Sequence, residues 1–142
     1  MSDERSGIDP LTGFLGLRWE AYDRLRLTVR DDHINPAGLL SGAVSYAMVD
    51  YCMGSTLWKD VRDDERIATI GISINYVQTA REGDVICESQ IDRRNDRVAV
   101  MQSQVRHEDG RLLATAIGSF AIFPKERLGG HERRAPTPRH PA

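Results

Sequence analysis

A single acidic residue, Asp50, lies in the middle of the most apolar stretch of this chain. Residues 39–58 contain no other charged side chain, and the positions one helical turn from Asp50 include the small residues Ala47 and Gly54. An ionised carboxylate is costly to bury without a partner, and buried aspartates are rare unless they are paired or take part in chemistry. Asp50 is therefore a candidate catalytic base or nucleophile. The alternative is a side chain that reaches a distant arginine or the molecular surface.

The loop that leads into this stretch is rich in turn-forming residues. Residues 33–43 read HINPAGLLSGA. Ser41 is predicted to cap a helix, and Gly42 would leave backbone N–H groups of the first turn accessible to a ligand. The positive end of a helix dipole stabilises an anion or a polarised carbonyl oxygen. The loop is a candidate oxyanion site, although ordinary helix capping explains these residues equally well when the loop is taken alone.

Length and composition predict that residues 39–58 form a helix. Alanine, methionine and leucine are frequent there, and about 17 helical residues would span about 25 Å. The stretch is apolar or small on nearly every face, which is typical of a helix enclosed by other structure. Three serines, a threonine, two glycines and a central aspartate make a membrane span unfavourable. A buried helix is therefore predicted, with no membrane partner.

Strand patterns lie on both sides of this helix. Five segments have them, and the last four segments are joined by short turns, one of which contains the hairpin signal Asp109-Gly110. Parallel neighbours need long crossovers, so these strands must be mostly antiparallel. The predicted fold class is α+β, with one long helix wrapped by an antiparallel sheet. The predicted strands are residues 24–30, 69–76, 84–92, 97–107 and 111–123.

The composition excludes several classes of protein. The chain has 19 Lys and Arg residues against 21 Asp and Glu residues, for a formal net charge of −2. Domains that bind nucleic acid usually have a basic excess, so no nucleic-acid partner is expected. Cys52 and Cys87 match no zinc-motif spacing, so no metal site is expected. The polar N-terminus contains no secretory signal pattern, which predicts a cytoplasmic protein.

The length of 142 residues fits a single domain. Residues 9–124 are predicted to form this domain, and residues 1–8 are predicted to be a flexible N-terminus. Residues 125–142 are rich in glycine, proline and arginine, with five Lys or Arg against two Asp or Glu. This segment is predicted to be a flexible basic tail because it has too little apolar surface to offset the entropy cost of ordering.

The loop and the helix together carry a motif of fixed spacing, Asn35-x-x-Gly38-x-x-Ser41-Gly42-Ala43 followed by Asp50. This motif resembles that of the PaaI-type acyl-CoA thioesterases of the hotdog-fold superfamily. Those proteins usually read Asn-x-x-Gly-x-x-His-Gly-Gly, with an aspartate further along the helix. Segments 9–17 and 72–76 are also similar to the family, and the whole resemblance extends over residues 9–123.

The resemblance implies a hotdog fold with five to six antiparallel strands around one central helix. It also implies hydrolysis of a coenzyme A thioester to the free acid and CoA, without a cofactor. In such a site Asn35 and the backbone N–H of Gly42 would polarise the thioester carbonyl, while Asp50 would activate water or attack directly. Thr69 would orient the water, with Ser73 on the same predicted strand face as the second choice, an ordinary strand hydroxyl being the alternative for both. The other residues expected to contact the substrate are His33, Gly38, Ser41 and Ala43.

One position departs from the family motif, since Ser41 stands where relatives usually have histidine. Serine supplies a hydroxyl but no imidazole, so a slower or redirected activity is one expectation. A non-catalytic hotdog protein that binds acyl-CoA or another acyl ligand is one alternative function. A hotdog hydratase or dehydratase is the other, although those enzymes normally pair an aspartate with a histidine in one motif.

Helix geometry predicts that one chain cannot complete this site. Ser41 and Asp50 are nine residues apart, which is about 13 Å along a helix axis, whereas reacting groups must approach within roughly 3–3.5 Å. Two antiparallel helices across a two-fold axis would place Asp50 of one chain beside Gly42 of the other. The expected partners are therefore the acyl-CoA substrate and a second copy of the chain, in a homodimer or a homotetramer.

Two arginines are candidates for binding the phosphates of CoA. Arg93 and Arg94 lie at a predicted hairpin, and the guanidinium group can bind phosphate with two parallel hydrogen bonds. The alternative is that both are simply solvated, as surface arginines at turns usually are.

Overall fold

The computed structural model describes residues 5–128 of the chain. It contains two helices, α1 at Pro10–Leu15 and α2 at Gly42–Trp58. Short 3-10 turns lie at Asp31–His33 and Lys125–Arg127. The strands are β1, Arg5–Ser6; β2, Arg18–Ala21; β3, Arg24–Thr28; β4, Glu65–Tyr76; β5, Asp84–Arg94; β6, Val98–His107; and β7, Leu112–Pro124.

The strands form one antiparallel sheet in the order β1-β2-β3-β5-β6-β7-β4. The predicted α+β architecture is confirmed, because one long helix packs against a sheet with six strands longer than two residues. The five predicted strands are β3 to β7. The sequence patterns missed α1, β1 and β2, which are all short and precede the alternating pattern of β3.

One side of α2 packs on the sheet and the other side does not. The N-cap residue Ser41 accepts a hydrogen bond at its Oγ from the N–H of Ala43 at 3.2 Å. On the side of α2 that faces away from the sheet, Asp50 is half-buried and Trp58 is 46% exposed. The prediction of a helix enclosed on nearly every face is therefore wrong for a single chain, because the sheet covers α2 from one side only. The buried residues of α2 are Val44, Ser45, Met48, Val49, Cys52, Met53 and Leu57.

A bulge in β4 reverses which of its side chains face α2. The pairing of β4 with β7 shifts between Thr69 and Gly71, so that Ile70 is an extra residue. Ile67 packs on the core before this bulge, whereas Ile72 packs on it after the bulge. One inserted residue moves every following side chain to the other face of a strand.

This reversal corrects an expectation from the sequence. Thr69, before the bulge, faces α2, whereas Ser73, after the bulge, is exposed and pairs with Ile117. The prediction that these two hydroxyls share one face is therefore wrong. Simple alternation along 69–76 cannot reveal an extra residue that is defined by the register with β7.

The domain boundaries stay predictions. Within the segments predicted to be flexible, Arg5–Ser6 pair with β2, and Lys125–Arg127 form a 3-10 turn. Residues 1–4 and 129–142 lie outside the described part of the chain. Between residues 5 and 128 no helix is long and apolar enough to cross a membrane. The same residues contain no group of three or more His, Cys, Asp or Glu side chains that could hold a metal ion.

Candidate active site

The side chain of Asn35 shapes the loop before α2. Its Oδ1 accepts hydrogen bonds from the N–H groups of Ala37 at 2.9 Å and Leu39 at 3.2 Å. Gly38 has a φ of 82°, which favours glycine because it lacks a Cβ atom. The two bonds fix the amide orientation of Asn35, so its Nδ2 group is the part that can donate to a ligand.

His33 lies beneath this loop rather than on its accessible side. Its side chain is 1% exposed, and its Nδ1 accepts a hydrogen bond from the N–H of Arg30 at 3.0 Å. Nε2 therefore carries the proton and donates to the carbonyl of Leu15 at 2.8 Å. Burial lowers the pKa of His33, which favours the neutral ring. The geometry gives His33 a role in holding the loop, because both ring nitrogens are already bonded to the backbone.

The first turn of α2 has one backbone donor that no described residue accepts. The N–H of Ala43 bonds to Oγ of Ser41, and the N–H groups of Val44 and Ser45 bond to the carbonyl of Ser41 at 3.1 and 3.4 Å. The N–H of Gly42 has no acceptor within residues 5–128. Unpaired donors at a helix start suit an oxyanion, and the role of Gly42 as such a donor stays a prediction.

Tyr76, at the end of β4, holds the amino end of α2. Its hydroxyl donates to the carbonyl of Gly42 at 2.6 Å. A Cβ atom on Gly42 would lie 3.0 Å from Cζ of the Tyr76 ring, so a glycine at this position allows the close contact. No local pattern marks Tyr76 as a neighbour of the site, since its orientation depends on the bulge that precedes it.

The carboxylate of Asp50 lies about two turns further along α2. Its Oδ1 accepts a hydrogen bond from Oγ1 of Thr69 at 2.7 Å. No salt bridge joins Asp50 to a cation within residues 5–128. Asp50 is thus neither locked onto an arginine nor fully exposed, and its second oxygen remains available to a ligand.

Asp50 and Thr69 form part of the wall of an open cavity of about 820 Å³. Most of its other walls are apolar or aromatic. Tyr51, beside Asp50 in the sequence, donates its hydroxyl hydrogen bond to Oδ2 of Asp9 at 3.0 Å. Burial and then this bond raise the pKa of Tyr51 to about 12, so its phenol stays protonated. The aromatic residues of the wall are Trp19, Tyr22, Tyr51, Trp58 and Phe120.

Arg93 and Arg94, the two candidate residues for binding the CoA phosphates, lie near the carboxyl end of α2. Arg94 forms an ion pair with Asp60, just beyond the carboxyl end of α2, at 3.1 Å. Arg93 is exposed at the end of β5. The structure therefore keeps both arginines apart from the loop and the amino end of α2 in the same chain.

The thioesterase superfamily profile matches residues 37–114, which is more than half of the chain. The chain belongs to the thioesterase superfamily. This thioesterase is 24% identical over 132 residues to the medium/long-chain acyl-CoA thioesterase YigI of Salmonella typhimurium, covering 80% of this chain and 85% of YigI. The family assignment makes the chain a thioester hydrolase and confirms the resemblance on which the hotdog prediction rests.

Solved structures share the fold of this thioesterase at low sequence identity. A phenylacetic acid degradation-related protein of Ralstonia eutropha superposes with a TM-score of 0.71 at 22% identity, covering 81% of this chain and 91% of that one. The Bacillus halodurans protein BH2602, crystallised with CoA, superposes with a TM-score of 0.68 at 21% identity, covering 70% of each chain. These similarities confirm the hotdog fold.

The candidate residues of this thioesterase fall into two groups on α2. The first group surrounds its amino end, and the second consists of Asp50 and Thr69. Gly42 and Asp50 are eight residues apart on one helix, about 12 Å along its axis. Ser73 belongs to neither group, because it lies on the outer face of β4. The residues around the amino end are His33, Asn35, Gly38, Ser41, Gly42 and Ala43.

Proposed function

We propose that this thioesterase hydrolyses acyl-CoA, with Asp50 as its catalytic carboxylate. The observation that carries the proposal is the Asp50 side chain, which Thr69 orients on the wall of a largely apolar cavity. The relative named as an acyl-CoA thioesterase and the similar protein crystallised with CoA support this substrate class.

Asp50 can act in one of two ways. As a base, its carboxylate takes a proton from water, the resulting hydroxide adds to the thioester carbonyl, and the C–S bond breaks as the proton passes to the leaving thiolate. As a nucleophile, it forms a mixed anhydride and releases the thiolate, and water then hydrolyses the anhydride. In both cases negative charge develops on the carbonyl oxygen, so a carboxylate alone is not a complete site.

The oxyanion donors of the proposed site are the N–H of Gly42 and Nδ2 of Asn35. Each such donor typically contributes a factor of about 10²–10³ to kcat, and a carboxylate base contributes about 10²–10⁴. Ser41 and Ala43 shape this end of the helix, and Gly38 shapes the loop. The hydroxyl of Ser41 accepts from the N–H of Ala43, and neither proposed oxyanion donor requires the histidine that relatives usually have at this position.

The distance between the two groups supports a site shared by two copies. About 12 Å of helix separates Gly42 from Asp50, and a reacting carbonyl cannot contact both. In a homodimer with antiparallel α2 helices, Asp50 of one chain meets the amino end of the other. The exposed side of α2, which includes Tyr46 at 38% exposure, provides a surface for this contact. A tetramer of two such dimers would keep the same sites.

The CoA phosphates are proposed to contact Arg93. Arg94 is already paired with Asp60, whereas Arg93 is exposed and makes no ion pair within residues 5–128. Thr69 keeps its proposed place at the reacting centre through its bond to Asp50. The function needs no metal or cofactor, and localisation in the cytoplasm stays a prediction.

The variant Asp50→Asn tests the function directly. It keeps the size of the side chain and its bond to Thr69 but removes the negative charge. We expect thiol release from a panel of acyl-CoAs to fall by about 10²–10⁴, the usual contribution of a catalytic carboxylate, while size-exclusion chromatography shows an unchanged oligomer.

The other possible results of this assay would favour a different mechanism or a different function for this protein. Undiminished turnover by Asp50→Asn would remove Asp50 from the mechanism. Calorimetric binding of acyl-CoA by the wild type without thiol release would favour the acyl-ligand binding protein. An enoyl-CoA product would favour the hydratase or dehydratase.

A further inference from the structure

The cavity beside Asp50 extends along one side of α2. Asp50, Gly54 and Trp58 all line it, and they are spaced by four residues. Successive members of this row are therefore one helical turn apart, and Trp58 lies about 12 Å from Asp50 along the axis. The row leads from the proposed reacting centre along the wall of the cavity toward the carboxyl end of α2.

Gly54 keeps the middle of this row open. A Cβ atom placed there would meet only Cε2 of Phe120, at 4.0 Å, which is ordinary van der Waals contact. A larger side chain at position 54 would lie between α2 and Phe120, across the path from Asp50 to Trp58. The space beside the carboxylate therefore depends on the absence of a side chain at Gly54.

Most of the polar side chains along this path are already bonded to other protein groups. The indole N–H of Trp19 donates to Oγ of Ser55 at 2.9 Å, and Ser55 donates to the carbonyl of Tyr22 at 2.6 Å. Tyr51 donates to Asp9, and Glu20 pairs with two arginines of β3. Beyond Asp50 and Thr69 the cavity thus offers a ligand mainly apolar and aromatic surface, which suits an uncharged hydrocarbon group.

We propose that this cavity holds the acyl group as an extended, medium-length hydrocarbon chain, and that Gly54 and Trp58 determine its length. This inference rests on the proposed function. An extended chain gains roughly 1.2 Å per bond, so the path of about 12 Å from Asp50 to Trp58 accommodates about ten bonds. Each methylene that the cavity buries improves binding about fourfold, and this gain ends where the chain passes Trp58 and re-enters water.

The test is a series of straight-chain acyl-CoAs from acetyl to palmitoyl, with kcat/KM measured for three proteins. For the wild type, kcat/KM rises with chain length and levels off near ten carbons. For Gly54→Leu, the ratio of kcat/KM for decanoyl-CoA to that for butyryl-CoA falls at least tenfold. Gly54→Ala is the matched control, because it fits without a clash and lowers the ratio by much less.

A second measurement follows binding without turnover. The chain contains two tryptophans, Trp19 and Trp58, and both line the cavity. Decanoate should therefore change the intrinsic fluorescence of the Asp50→Asn protein at lower concentration than butyrate does, and Gly54→Leu in the same background should abolish that preference.

The outcomes separate this inference from the proposed function. If the wild type releases no thiol from any acyl-CoA, the proposed function fails and the inference fails with it. If it hydrolyses acyl-CoA but Gly54→Leu keeps the wild-type dependence on chain length, only the inference is overturned. The same holds if decanoate and butyrate bind the Asp50→Asn protein equally well.

Discussion

The amino end of α2 and its middle present opposite chemistry, and they are held in place by different kinds of contact. At the amino end the protein offers donors, the N–H of Gly42 and the amide of Asn35. Most of the hydrogen bonds that shape this end join residues at most eight apart, such as the 2.8 Å bond from the N–H of Ser41 to the carbonyl of His33. Two longer-range bonds anchor it, from Tyr76 to Gly42 and from His33 to Leu15. In the middle the protein offers an acceptor, Asp50.

The surroundings of Asp50 come from distant parts of the chain. Thr69, its hydrogen-bond partner, lies 19 residues away in β4, immediately before the bulge. Trp19 and Phe120, two walls of the cavity, come from β2 and β7. Local hydrogen bonds therefore shape most of the proposed oxyanion site, with Tyr76 and Leu15 anchoring it from outside, whereas long-range packing builds the whole environment of the carboxylate.

A large fall in kcat is expected when the backbone N–H of Gly42 is removed and the helix turn that contains it is kept. Gly42→Pro removes the backbone N–H at the first helical position, where proline is tolerated. We expect kcat for acyl-CoA hydrolysis to fall by about 10²–10³. Gly42→Ala is the control, since it introduces the same contact with the Tyr76 ring but keeps the N–H, and it should lose far less. Equal losses in both variants would show that crowding of Tyr76, and not the donor, matters.

Mixed dimers test whether the Asp50 and the Gly42 of one site come from different chains. A dimer with one Asp50→Asn chain and one Gly42→Pro chain contains one intact site if each site uses both chains. Such a dimer, purified through two different tags, should recover about half of the wild-type activity. A dimer as inactive as its parents would show that Asp50 and Gly42 of the same chain work together, contrary to the distance along α2.

A smaller fall in kcat is expected when Asp50, in the middle of α2, loses its hydrogen bond to Thr69. Thr69→Val keeps the shape of the side chain but removes the hydrogen bond to Asp50, and a bond to a charged group is worth about 1.5–3 kcal/mol. We expect kcat to fall by about tenfold or somewhat more in steady-state assays. Thr69→Ser keeps the hydroxyl and should stay near the wild type. If Thr69→Val also behaves like the wild type, the hydroxyl does not orient Asp50.

The smallest expected effect is on the pH dependence of stability, and it arises from His33, which is buried beneath the loop that precedes α2. Burial lowers the pKa of His33 from its usual 6.5, so the unfolded chain binds this proton more readily than the folded protein does. The stability contribution of the neutral ring is therefore complete above pH 6.5 and is lost as the pH falls below that value. Urea unfolding between pH 5 and 8 should show this loss in the wild type.

The variant His33→Gln provides the comparison for this titration. It is less stable at neutral pH because buried hydrogen bonds are lost, but its free energy of unfolding should change less between pH 7 and pH 5. A variant with the full wild-type pH dependence would assign the effect to other groups. The carboxyl groups of Asp84 and Glu20 have lowered pKa values. Their contributions are lost only at more acidic pH.

Local patterns predicted a large part of the fold. The length and apolar character of residues 39–58 predicted α2, which the structure places at Gly42–Trp58. Alternation and short turns predicted β3 to β7, because side-chain periodicity and turn chemistry act between neighbours in the sequence. Strand β2 was missed although Trp19 lies between the polar residues Arg18 and Glu20, since four residues give too short a pattern.

The candidate site divides in the same way. The sequence alone determined that Asp50 is an isolated acid in a helix and that a turn-rich loop ends at a capped, glycine-containing helix start, because helical spacing and capping depend on residues a few positions apart. Only the tertiary structure decided that Thr69 meets Asp50 while Ser73 faces outward, that His33 is buried, and that Tyr76 contacts Gly42. His33 is buried because the chain folds so that Leu15, 18 residues away, lies against its ring. For Thr69, Ser73 and Tyr76 the physical reason is the register between β4 and β7. One extra residue at Ile70 reverses every following side chain, and no local pattern specifies where that residue is inserted.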